Sequence, residues 1–208
     1  MHSTDRKKQV LGSLFNLPNQ LTSLRLILAI VMFAAIDLQW YQTAFVLFVV
    51  ATGTDWLDGY FARKYGMVTT LGRILDPFAD KFIICGTFIY LLSIRELDKV
   101  PLGLRTWMVV VIVGRELLVT ALRSFLEDRG SDFSAKFSGK LKMVLQCIAA
   151  GAGLFVLCAW SQPIPTEHQW EHWWVWWILI GTTWSAVLLT AYSGVVYVGV
   201  AIRLLRAP

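Results

Sequence analysis

Six apolar runs, each about as long as a helix that crosses a bilayer, divide this chain. They predict spanning helices at about residues 19–36, 43–62, 71–94, 106–126, 139–160 and 173–202. Residues 1–18 form a polar, basic segment ahead of them, with a short amphipathic helix expected on the membrane surface around residues 10–15. Pro18 disfavours helical geometry in Leu17, so a break is expected at residues 16–19. The pattern predicts an all-α fold: a polytopic membrane protein with residues 19–208 as one six-helix domain.

The polar residues that interrupt this pattern concentrate in residues 55–80. Asp55 and Asp58 are i,i+3 neighbours, Gly59 and Ala62 continue their face, and Arg63 follows. Gly72, Asp76 and Asp80 repeat every fourth residue along one ridge of the next helix. Asp80 lies roughly 12 Å beyond Gly72, within the hydrocarbon but near one face. Pro77 is expected to kink that helix or loosen its first turns. Four carboxylates meeting across a helix pair repel one another unless cations bridge them. Hard divalent ions, held by carboxylates and completed by substrate phosphates, are the natural occupants. Helix-end salt bridges are the plainer alternative, but intramembrane carboxylates are rare and usually functional.

Composition narrows the class. With 208 residues, 56% of them hydrophobic, and ten Trp, the chain has no room for a separate soluble enzyme domain. Its net charge of +5 would suit nucleic acid or an anionic bilayer; in so apolar a chain the bilayer wins, and no nucleic-acid partner is expected. Cys85, Cys147 and Cys158 all lie in apolar runs and read as small buried hydrophobes. The first twenty residues lack an uninterrupted apolar core, so no cleavable signal is expected and the first helix stays in the membrane. With the N-terminus cytoplasmic, fourteen of the nineteen Lys and Arg fall on that side. Arg95, Lys99 and Arg105 fall opposite, and Lys81 and Arg115 lie in the slab. That bias puts residues 55–80 at the cytoplasmic boundary. Trp160, Trp170, Trp173, Trp174, Trp176 and Trp177 flank residues 161–171 and read as an interfacial aromatic belt. An aromatic box for a sugar or choline is the sharper alternative.

The motif Asp-x-x-Asp-Gly-x-x-Ala-Arg, eight residues, Gly-x-x-x-Asp-x-x-x-Asp resembles the signature of the CDP-alcohol phosphatidyltransferases, with every fixed position filled. The resemblance implies that a CDP-linked lipid donates its phosphatidyl group to an alcohol while CMP leaves. It makes Asp55, Asp58, Asp76 and Asp80 ligands of Mg²⁺ or Mn²⁺, with Asp80 also the general base. Gly59 then lets the nucleotide approach the helix, Arg63 offers a guanidinium fork to a phosphate, and Thr69 assists nucleotide binding. For Arg63 and Lys64, ordinary snorkelling at a helix end is the plainer reading.

Further matches point to one branch of that family, in which glycerol 3-phosphate accepts the phosphatidyl group of CDP-diacylglycerol. They are residues 16–25, with Asn19 and Thr22 facing the donor nucleotide; Gly114-Arg115-Glu116; Ala121-Leu122-Arg123; and Gly139-Lys140-x-Lys142 with Gln146. Met143 departs from that branch, where Thr is common. Arg115, Arg123, Lys140 and Lys142 would hold the acceptor phosphate, and Glu116 is expected to pair with Arg123. Contact with anionic membrane lipid is the alternative for these cations. The resemblance also implies a homodimer in the inner or cell membrane with its active site facing the cytoplasm. Rival readings are the same chemistry on inositol phosphate, serine or phosphatidylglycerol, a small transporter, and a prenyl-diphosphate enzyme. A transporter would place its carboxylates at the midplane of an inverted repeat, and none is visible.

Overall fold

The computed structural model describes residues 17–65, 70–98, 100, 102–128, 137–160 and 173–206. Among these there are six long helices, one short helix and no strand. The long helices are α1 (Leu17–Asp37), α2 (Tyr41–Tyr65), α3 (Thr70–Leu92), α5 (Thr106–Asp128), α6 (Phe137–Trp160) and α7 (Trp173–Arg206). The short α4 (Arg95–Asp98), absent from the hydropathy pattern, follows α3. The expected surface helix at 10–15 and the loop at 161–171 lie outside the described residues.

One local expectation is corrected. Helix α1 starts at Leu17 instead of breaking there, because Pro18 falls in the first turn. At that place its missing N–H and fixed φ are tolerated. Helix α3 continues through Pro77, the place where the sequence predicts a kink or loosened turns. The turn between α1 and α2 closes tightly: Trp40 N–H donates to the Ala35 carbonyl at 2.8 Å and Gln39 N–H to that of Ile36 at 2.9 Å. This is a Schellman cap with Gln39, at φ 61°, in the left-handed position that glycine usually takes.

The contacts fall into two compact units, Met1–Gly86 and Thr87–Pro208, with the boundary inside α3. In the first, α1 packs along α2. Thr22, Arg25, Ala29, Met32 and Ile36 are all buried, a stripe spaced three and four residues apart. On α2 the buried positions are Ala44, Phe48 and Ala51, and on α3 they are Ala79, Ile83 and Ile84. Phe33 of α1 meets the edge of Phe82 at 5.5 Å, and Gly86 lies directly against the Phe33 ring. Small residues at Ala29, Ala79 and Gly86 allow close helix approach.

In the second unit α7 packs on both α6 and α5. Val119, Tyr197 and Ala201 form one buried cluster, joined by Leu122 and Val200. Trp184 Nε1 donates to the Leu102 carbonyl at 3.0 Å and its ring meets Trp107 at 5.8 Å. Large apolar side chains also cover the outside; Ile30, Val46, Val110, Leu117 and Leu188 are exposed and Val195 is 74% exposed. Helices apolar on both faces need a solvent of hydrocarbon. This is an integral membrane protein. Helices α1, α6 and α7 are long and apolar enough to span. Helices α2, α3 and α5 carry the charges of the motifs, which lowers their mean hydropathy; that they too span remains part of the expected six-span arrangement.

Candidate active site

The acidic ridge of α3 forms as its spacing predicts, and α1 supplies a partner for each carboxylate. Thr22 Oγ1 donates a hydrogen bond to Asp76 Oδ1. One turn on, Arg25 Nη1 lies 3.1 Å from Asp80 Oδ1. The i,i+3 spacing on α1 thus answers the i,i+4 spacing on α3. Arg25 is 2% exposed, so its charge is held inside the protein, whereas the Asp80 side chain is 24% exposed and Asp76 more so. The close contact of Gly86 with Phe33 brings the same two helices together further along.

Helix α2 carries Asp55, Asp58, Gly59 and Arg63 on its backbone, but the side chains of the two aspartates and the arginine lie outside the described residues, as do that of Asn19 and all of Thr69. Among the described residues no cluster of three metal-type ligands occurs, since only two of the four motif carboxylates are included. The donor set nevertheless fits a divalent cation. Asp76 and Asp80 stand on one ridge, are reachable from solvent, and offer hard anionic oxygens.

A second polar cluster is built by α5, α6 and α7. Glu116 Oε1 accepts from Lys142 Nζ, from Gln146 Nε2 at 3.3 Å and from Arg115 Nη1 at 3.4 Å. Gln146 Nε2 also donates to Thr190 Oγ1 at 3.0 Å. Arg115 Nη2 donates to Ser193 Oγ at 2.6 Å, and its guanidinium carbon stands 5.2 Å from the Tyr197 ring centre. Gly194 leaves room for the arginine stem: a Cβ there would sit 3.1 Å from Arg115 Cγ. Lys142 and Glu116 are both buried.

Arg115 and Lys142, two of the expected acceptor residues, are therefore brought together by Glu116. Arg123 is half-buried with its Nε lacking a hydrogen-bond partner among the described residues, and the Lys140 side chain lies outside them. The expected pairing of Glu116 with Arg123 is corrected to Lys142 and Arg115. Seven residues separate Glu116 from Arg123, about 10 Å along the axis, and a cation from the facing helix is nearer. Thr190, Ser193 and Tyr197 were not foreseen as site residues. Their signal was present as hydroxyl groups three and four residues apart in the strongly apolar second half of the helix.

A carboxylate motif on paired helices, with buried cations in a membrane protein, defines a class. Residues 15–187 match the family model described as CDP-alcohol phosphatidyltransferase. The chain belongs to that family, whose members generally use a divalent metal. It is 38% identical over 156 residues to the CDP-diacylglycerol--glycerol-3-phosphate 3-phosphatidyltransferase of Bacillus subtilis (strain 168), covering 67% of this chain and 76% of that one. It is 36% identical over 194 residues to a probable phosphatidylglycerophosphate synthase of Mycobacterium tuberculosis (strain ATCC 25618 / H37Rv), covering 90% and 82%. An Arabidopsis thaliana CDP-diacylglycerol--glycerol-3-phosphate 3-phosphatidyltransferase 2 is 35% identical over 152 residues, covering 68% and 65%.

Proposed function

We propose that this protein transfers the phosphatidyl group of CDP-diacylglycerol to sn-glycerol 3-phosphate, giving phosphatidylglycerophosphate and CMP. The relatives bearing that activity in their names, at 35–38% identity, support the reaction. The observation that carries the site is the pairing of both α3 carboxylates with α1, which fixes the motif's last two aspartates on one ridge. In this reading Asp55, Asp58, Asp76 and Asp80 hold Mg²⁺ or Mn²⁺, which neutralises charge developing on the diphosphate. Asn19, Thr22, Gly59, Arg63 and Thr69 hold the donor nucleotide.

Asp80 takes the proton of the acceptor hydroxyl. That oxygen forms a bond to the phosphorus bearing diacylglycerol. The bond from this phosphorus to the bridging oxygen breaks, and CMP leaves with the electron pair. Arg25 keeps the Asp80 carboxylate in one orientation. Arg115, Arg123, Lys140 and Lys142 bind the acceptor's phosphate by charge-assisted hydrogen bonds. The bias of Lys and Arg supports an active site facing the cytoplasm, and the resemblance supports a homodimer. Purified protein in detergent, given CDP-diacylglycerol, divalent metal and one acceptor at a time, should release CMP with glycerol 3-phosphate. Release with inositol phosphate, serine or phosphatidylglycerol instead would overturn this choice of acceptor.

A further inference from the structure

Helix α7 receives the Arg115 side chain at three points within little more than one turn. Ser193 Oγ accepts from Nη2 at 2.6 Å, the bare backbone of Gly194 lies beside the stem, and the Tyr197 ring centre stands 5.2 Å from the guanidinium carbon. Ser193 and Tyr197 are buried, and the arginine side chain is 9% exposed. The contact of Nη1 with Glu116 Oε1, on the arginine's own helix, is longer at 3.4 Å. The plane of the guanidinium is therefore set mainly from α7. How that plane is turned decides which of its N–H groups face a ligand. A serine hydroxyl is a neutral acceptor, so it orients the cation without cancelling its charge.

We propose that Ser193 is a positioning residue for the acceptor's phosphate, acting through Arg115, with Gly194 giving the arginine stem its path. This rests on the acceptor reading above and adds to it the helix that turns the arginine fork. Fork recognition of a phosphate depends on the angle of the guanidinium as well as on its charge. The Tyr197 face supports the cation over a range of rotations, whereas the bond to Ser193 fixes one of them. An arginine released from Ser193 keeps its charge and loses its aim. Gly194 serves the same end, since a Cβ there would lie 3.1 Å from Arg115 Cγ and push the stem aside.

The test is kinetics on the full-length protein in detergent, with Ser193→Ala, Ser193→Thr, Gly194→Ala, Arg115→Met and the double variant of Ser193→Ala with Arg115→Met. KM is measured for glycerol 3-phosphate and for CDP-diacylglycerol, and Tm is recorded alongside. Ser193→Ala should raise KM for glycerol 3-phosphate by about tenfold, the worth of a charged hydrogen bond, with KM for CDP-diacylglycerol changed less than about twofold. Ser193→Thr keeps the hydroxyl and should bring KM for glycerol 3-phosphate back to within about threefold of wild type. Gly194→Ala leaves every polar group in place and favours the helix, so it stays assayable if Ser193→Ala folds poorly. Its crowding of the stem should raise the same KM about threefold or more. Without the arginine, Ser193→Ala should change KM by less than about twofold, the non-additivity of a residue acting through its neighbour. Unaltered KM in Ser193→Ala and Gly194→Ala beside a raised KM in Arg115→Met would overturn this proposal and leave the acceptor site standing. Unaltered KM in Arg115→Met as well would remove Arg115 from the acceptor site and the proposal with it. Equal loss of affinity for both substrates, a Thr variant as impaired as the Ala variant, or additive effects in the double variant would overturn it too, reducing Ser193 to a structural role.

Discussion

Arg25 and Asp80, 55 residues apart in sequence, meet at 3.1 Å, joining the buried face of α1 to the last carboxylate of the motif on α3. The arginine is enclosed while the carboxylate keeps an open side. A buried cation held against a carboxylate is a geometric constraint on that carboxylate.

Arg25→Met should therefore harm both folding and turnover. A hydrogen bond to a charged group contributes about 1.5–3 kcal/mol, and the partial exposure of Asp80 keeps the loss below that of a fully buried pair. For a chain of this size that corresponds to a fall in Tm of about 3–12 °C. CMP release should fall more than about tenfold, beyond what stability explains, because Asp80 is freed to rotate. Thermal unfolding and CMP release on the same preparation check this; unchanged values in both would show that the pair constrains nothing.

Asp76 and Asp80 should separate in their effects. Asp80→Asn keeps volume and one acceptor oxygen but cannot take a proton, so turnover should drop by roughly two to four decades while donor binding declines modestly. Asp76→Ala, like Asp55→Ala and Asp58→Ala, should abolish turnover and weaken stabilisation by added metal, with insertion and helix content intact. Chelator-treated wild-type protein retaining full activity would remove the metal from the mechanism. An Asp80→Asn enzyme keeping more than about a tenth of its turnover would place the base elsewhere.

The helices and the carboxylate ridge were legible in the sequence because both depend on local periodicity. Apolar run length sets helix length, and residues four apart share a ridge wherever the helix forms. The partners were not legible, since they depend on how each helix is rotated against its neighbour. Arg25 read as one more cytoplasmic cation, and Thr22 as a contact of the nucleotide. Glu116 was matched to Arg123 on its own helix, where spacing can be counted, and not to Lys142 across an interface. Gln146 stood only as part of a family resemblance. Helix α7 was read only for its hydropathy and its interfacial tryptophans, although Thr190, Ser193 and Tyr197 form a buried polar stripe on it.

The approach of α1 and α3 depends on a missing side chain. A Cβ on Gly86 would run into the Phe33 ring, with Cε1 and Cε2 each at 3.0 Å, and that ring is already set against Phe82. Gly86→Ala should cost about 1–3 kcal/mol by overpacking and lower CMP release. Gly153→Ala makes a useful contrast. Its Cβ would meet Leu91 Cδ1 at 2.5 Å, but that methyl is the end of a flexible side chain and can give way. Denaturation of the two variants side by side should show the larger loss at Gly86. A larger loss at Gly153 would mean that the aromatic contact is the softer one.

Acceptor choice turns on whether the cations of α5 and α6 hold a phosphate or only face lipid. Glycerol 3-phosphate differs from serine and inositol in presenting a dianion, and the proposed site supplies cations from both helices. Arg123 is half-buried and its Nε has no hydrogen-bond partner among the described residues, an arrangement that a phosphate oxygen would complete. Each charge-assisted bond lost should cost about 1.5–3 kcal/mol, which is roughly one to two decades in affinity. Arg123→Ala and Lys140→Ala should raise KM for glycerol 3-phosphate by that factor. The donor, assigned to Asn19, Thr22, Gly59 and Arg63, should show a change of a few-fold at most. Lipid-facing cations behave differently: their removal would change both substrates alike, or neither, and the response would follow the anionic lipid content of the assay micelles. Measuring both constants at two levels of anionic lipid separates the cases, since a true phosphate site keeps its selective loss at each level.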